Sequence, residues 1–201
     1  MSWQELLDGM YNCALKLYQA GSYSEALKIL DELQRMAPIW LRPLLLRAHI
    51  VRAVNCPVQE MQVLQQLLKQ GNDLPQLSES DRDIMSEAWS MLGEALVKLG
   101  ECRLAVDAFL QSSLMERDVK KKREEYSNAI FVAHYSSDLS DRYWQGLYAG
   151  YRKLLQDIVP LKLPLLENGR YGHDKIRIGY LSADLRLHPV AYFLRPLLEF
   201  H

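Results

Sequence analysis

Along residues 1–157 apolar side chains recur at i, i+3, i+4 and i+7, the stripe that an amphipathic helix turns toward a core. The chain's 8 prolines and 10 glycines are too few to interrupt that pattern often. It predicts helices over about 2–19, 22–36, 40–54, 58–70, 80–98, 101–115, 119–136 and 139–157, paired as helical hairpins.

The breaks between helices repeat. In Gly21-Ser22-Tyr23-Ser24-Glu25-Ala26 a glycine suits the end of one helix and a serine the N-cap of the next. Gly100-Glu101-Cys102-Arg103-Leu104-Ala105 offers the same order later in the chain. Placing Gly21 on Gly100 sets Ala26 on Ala105 and Leu17 on Leu96. The later copy then reads Trp89, Leu92, Gly93, Leu96, Ala105 and Phe109; the earlier one reads Met10, Cys13, Ala14, Leu17, Ala26 and Leu30, closing at Pro38. These positions resemble the tetratricopeptide repeat. Small residues at Ala14, Gly93, Ala26 and Ala105 let paired helices approach, and Leu17, Leu30, Leu96 and Phe109 fill the space between them. Residues 40–70, turning at Asn55-Cys56-Pro57, take the place of a degenerate intervening repeat. The polar stretch 71–80 absorbs the excess over two periods of ~34 residues, as a loop ending in a helix cap.

Composition narrows the function classes. With 24 basic and 25 acidic residues and a formal charge of -1, the chain has no broad electrostatic footprint for nucleic acid or an anionic membrane. Lys120-Lys121-Lys122-Arg123 is followed at once by Glu124-Glu125, and i,i+4 pairs Lys120–Glu124 and Lys121–Glu125 are expected on a solvated face. No signal peptide or membrane span is readable. Cys13, Cys56 and Cys102 lie far apart and in no ligand spacing, so they read as small packing residues of a cytoplasmic protein.

After about residue 158 the pattern changes. Pro160 and Pro164 break the helical period and Gly169 and Gly172 mark turns. Residues 175–182 then read as a strand with Ile176, Ile178 and Tyr180, or the opposite set, turned inward. A polar loop, 183–188, and an apolar helix, 189–201, follow, with Pro189 in the first turn. Strand, loop and helix form the opening unit of an α/β domain.

Three of the 5 histidines, His173, His188 and His201, fall in this last region, and its loop carries Ser182, Asp184, Arg186 and His188. Loops at the carboxyl ends of strands are where ligands bind in open α/β sheets. The histidines lack metal-ligand spacing, and Ser182 lacks a surrounding nucleophile-elbow sequence. Caps remain open as roles, Asp184 for the loop and His188 for the helix.

The run Ile178-Gly-Tyr-Leu-Ser-Ala-Asp-Leu-Arg-Leu-His-Pro-Val-Ala-Tyr-Phe193 and its flanks, Lys175 to His201, resemble the stretch opening the catalytic region of the O-linked N-acetylglucosamine transferases, the bacterial SPINDLY-like relatives above all. Leu185 stands where that family has an aromatic residue. Helical repeats ahead of this stretch are also the family's order. The resemblance implies a mainly α fold, a tetratricopeptide-like right-handed helical hairpin array followed by the first β-α unit of a GT-B α/β catalytic domain. The expected organisation is 1–157 repeat domain, 158–174 linker and 175–201 incomplete catalytic domain.

The resemblance further implies a metal-independent inverting transfer from a UDP-sugar, typically UDP-N-acetylglucosamine, to Ser or Thr hydroxyls of acceptor proteins. This chain alone is expected to be inactive and to bind no cofactor itself. In the family the histidine matching His188 lines the cleft as base or positioner, and Asp184 shares its loop. Related enzymes hold peptide backbone with asparagines on the concave repeat face; Asn12 stands at the matching place, and Met91 occupies it in the later copy. The alternative is a non-catalytic repeat adaptor that binds proteins.

Overall fold

The computed structural model describes residues 2–158 and 178–200. The chain divides into two compact units, Met1–Val159 and Pro160–His201. The first contains α1 (Trp3–Gln19), α2 (Tyr23–Met36), α3 (Leu41–Ala53), α4 (Pro57–Asn72), α5 (Glu79–Lys98), α6 (Cys102–Met115), α7 (Val119–Ala133) and α8 (Asp141–Leu154); the second contains α9 (Pro189–Glu199).

Helix starts follow from polar side chains that satisfy otherwise unpaired N–H groups. The Ser2 hydroxyl accepts from the Glu5 N–H at 3.2 Å while the Glu5 carboxylate accepts from the Ser2 N–H at 2.7 Å, a reciprocal cap. Ser78 and Asp81 repeat it for α5. Asp118 caps α7 and Ser140 caps α8. Ser22 departs from expectation: it stands at the N-cap of α2 without a side-chain cap bond. Its backbone (φ -80, ψ 61) lies outside the extended region that aims a cap hydroxyl at the following N–H groups.

The turns reveal the repeat. Gly21, Asn55 and Gly100 all have left-handed backbone, at φ 77, 57 and 80. At each, the same two bonds close the preceding helix: Ser22 N–H to Leu17 O (2.9 Å) with Gly21 N–H to Tyr18 O (3.0 Å), Cys56 to Val51 (3.3 Å) with Asn55 to Arg52 (3.0 Å), and Glu101 to Leu96 (2.9 Å) with Gly100 to Val97 (3.0 Å). Gly21 and Asn55 are one ~34-residue period apart, so the intervening hairpin keeps the register despite its divergent sequence. His134 stands one such period after Gly100 but is right-handed (φ -63), and the fourth hairpin therefore turns through a longer link before α8.

Stretch 71–80 differs from expectation at its start. Helix α4 continues through Gly71 to Asn72 because Gly71 makes room for Met85, whose sulfur would lie 2.1 Å from an added Cβ. The cap of α5 is accordingly Ser78.

The core is in two parts joined by one helix. Leu7, Ala14, Ala26, Leu30, Leu33, Leu46 and Ile50 form the first. Leu41, Leu44 and Ala48, from the other side of α3, enter the larger second part with residues of α4 to α8. A helix shared between successive cores is the packing of a linear repeat array, where each hairpin rests on its neighbours. Cys13 is exposed rather than packed. Its counterpart in the later copy, Leu92, is buried among the residues of the larger core.

In the second unit the expected strand is corrected over residues 178–182. Residues 178–182 carry no strand, and no strand occurs among the described residues. A strand exists by pairing with a neighbour, and an alternating segment without a partner stays irregular. Residues 175–177, the expected linker from 159 to 174, His173 and His201 lie outside the described residues. The final helix forms as Pro189–Glu199.

Candidate functional site

Helices α3, α5 and α7 are linked side to side by polar contacts. On α3, Arg42, His49 and Arg52 recur at helical spacing; on α5, Glu87, Ser90 and Glu94 do the same. His49 Nε2 lies 3.0 Å from Glu87 Oε1. Arg52 donates to Glu94, and Arg42 donates to the Ser80 hydroxyl at 3.2 Å. Toward α1 the His49 ring approaches that of Tyr18, with centroids 6.4 Å apart. Toward α7, Ser90 donates to Glu125 Oε1 at 2.9 Å.

Glu125 thus belongs to the contact with α5, although its spacing suggested a partner in Lys121. Burial pushes its carboxyl up, against the lowering effect of Ser90. The expected Lys120–Glu124 pair is present at 3.9 Å. The hydrogen bond from His49 is the main cause holding the Glu87 carboxyl below its usual value.

Between α5 and α7 these contacts border an open cleft of about 690 Å³, lined by Glu87, Ser90, Lys121 and Glu125 among others. On the other side of the array, α4, α5 and α6 frame a groove of about 880 Å³ with Leu68, Leu92, Leu96 and Ala108 in its wall. Asn12 is exposed on α1, while Met91 at the matching place of α5 is core. The asparagine position is therefore not repeated between these two copies.

The loop before α9 brings two of the expected residues together. Ser182 Oγ accepts from the Asp184 N–H at 3.1 Å, fixing the turn. His188 is the N-cap of α9: its Nδ1 accepts from the Val190 N–H at 3.3 Å and lies 3.9 Å from Asp184 Oδ1. These two partners ask opposite things of one nitrogen. Capping needs Nδ1 unprotonated, with the proton on Nε2, whereas donating to Asp184 needs the proton on Nδ1. The second state leaves Nε2 of neutral His188 free to accept a proton, the first does not.

Among the described residues no three His, Cys, Asp or Glu side chains group as metal ligands. Among them, too, no helix is long and apolar enough to cross a membrane.

Three left-handed turns with the same bonds, small residues at the hairpin crossings and a core shared through α3 define the array. It is tetratricopeptide-like. No family model matches the chain, and no curated protein matches it. Solved structures similar to it include PcrH in complex with the chaperone binding region of PopD, at 16% identity and TM-score 0.48 over 76% of this chain and 96% of that one. The MamA protein is similar at 16% identity and TM-score 0.45, over 76% and 89% of the two chains. A MamA RS-1 ArsTM double mutant is similar at 16% and 0.42, over 74% and 93%.

The cross-helix partners carry no motif of their own in the sequence. Their signal is the opposite charge sign of two helical stripes, Arg42/His49/Arg52 and Glu87/Glu94, and it becomes legible once α3 and α5 are known to be adjacent.

Proposed function

We propose that the helical array is a protein-binding module whose partner lies along the face of α1, α3, α5 and α7. The observation that carries this reading is the cleft of about 690 Å³ between α5 and α7. Its polar groups are held in place by Ser90–Glu125 and His49–Glu87, and side chains ordered in advance lose less entropy on binding. Asn12, exposed on α1, would hold partner backbone on the same set of helices. A cytoplasmic setting, where the three thiols stay reduced, fits this adaptor role. Ser90→Arg, which fills the cleft, is expected to weaken partner binding at least tenfold with the array still folded; unchanged affinity would refute the reading.

A second reading draws on the loop ahead of α9. We infer that residues 175–201 open a GT-B-type sugar-transfer region using UDP-N-acetylglucosamine and Ser or Thr acceptors, with this chain inactive alone. It is supported by the resemblance of that run and by the 3.9 Å approach of His188 to Asp184. With Asp184 on its Nδ1, His188 would accept the hydroxyl proton at Nε2. The test is His188→Ala in the full-length protein, assayed for sugar transfer with thermal stability as control. A loss of about 10²-fold or more is expected, and unchanged turnover removes His188 from the chemistry.

A further inference from the structure

The array buries one carboxylate that neither reading uses. Glu60, in the first turn of α4, is 1% exposed, and neither of its side-chain oxygens has a hydrogen-bond partner. Its nearest cations stand off at Arg52 Nε, 4.0 Å away on α3, and Lys98 Nζ, 3.8 Å away on α5. Both cations are partly exposed, and Arg52 is also held by Glu94 of α5. The charged and titratable groups facing Glu60 are thus Arg52 and His49 from α3 and Lys98 and Glu94 from α5.

A buried carboxylate without donors is costly in the charged form, and two ion pairs near 4 Å offset that cost only in part. We propose that Glu60 is a proton-operated latch at the junction of α3, α4 and α5: charged, it tethers Arg52 and Lys98 to the seam; neutral, it releases Lys98 and leaves Arg52 to Glu94. The junction carries one more positive charge in the released state. Arg52 belongs to the stripe that links α3 to α5, so the latch couples proton uptake to the charge of the odd-helix face.

Burial raises the Glu60 carboxyl above its usual range, outweighing Lys98 and Arg52. For a group so raised, the stabilising contribution is complete below the unfolded value of about 4.3 and is lost as pH climbs through the folded value. Glu60→Gln keeps the neutral shape at every pH. In the full chain, its Tm is expected to match the wild type near pH 4 and to exceed it by about 2–4 °C at pH 8. A difference that does not change with pH, or a variant less stable at pH 8, overturns the proposal.

The tether has its own readout. At pH 8, acetylation of Lys98 by acetic anhydride, normalised to exposed Lys28, is expected to be at least threefold faster in Glu60→Gln. Equal rates overturn the latch. A carboxyl NMR titration of wild-type Glu60 gives a check that needs no variant: a midpoint above about 4.3 is expected, and one below it refutes the proposal.

Discussion

Gly93 of α5 faces the ring of Phe109 on α6 so closely that an added Cβ would lie 2.8 Å from two ring atoms. Phe109 is 3% exposed, so the ring is packed in the core. Helix propensity favours Gly93→Ala by about 1 kcal/mol, whereas overpacking costs about 1–3 kcal/mol. Net destabilisation of about 1 kcal/mol is expected by urea unfolding, and Phe109→Leu in the same chain is expected to relieve it. Additive costs would show that the contact does not set the α5–α6 approach.

The three left-handed turns call for residue-specific costs. Gly100→Ala puts a Cβ at φ 80 and is expected to cost about 1–2 kcal/mol. Asn55→Gly, at φ 57, is expected to be neutral or slightly stabilising. Equal effects at both sites would contradict a shared turn geometry.

Ser86 and Ser112 bond reciprocally inside the α5–α6 interface, each hydroxyl donating to the other's carbonyl at 3.2 and 2.9 Å. Each Ser→Ala change is expected to cost about 1 kcal/mol, and the double variant less than the sum. Thermal unfolding of the four chains reads the coupling directly.

Acid should weaken the α3–α5 contact. The Glu87 carboxyl is held down chiefly by its hydrogen bond with His49. Its contribution is therefore present above the unfolded value of about 4.3 and is lost as pH falls through the lower folded value. A wild-type chain is expected to lose stability below about pH 4 more steeply than Glu87→Gln; parallel profiles would remove Glu87 from the acid limb.

How far the sequence speaks depends on the range of the interaction. Helix positions and the turns at Gly21 and Gly100 were readable because the apolar spacing and the turn residues act within a few positions. The end of α4 lies beyond the expected one because Gly71, which reads as a breaker, makes room for Met85. The i,i+4 spacing points Glu125 to a partner on its own helix, whereas Ser90, on the neighbouring one, donates to it. The strand over 175–182 was inferred from alternation, and alternation supplies no partner strand. Asp184 and His188 were legible as a pair from their loop, but the competition for Nδ1 required the position of Val190.

The central claim is that partners bind the face of α1, α3, α5 and α7. A photocrosslinking amino acid placed at Asn12 or Lys121, against Gln65 or Gln111 bordering the groove of α4 to α6, tests it most directly. One and the same protein is expected to be captured from Asn12 and Lys121 and not from Gln65 or Gln111, and Ser90→Arg is expected to abolish the capture. Capture of that protein from Gln65 and Gln111 alone, or capture indifferent to Ser90→Arg, would contradict it.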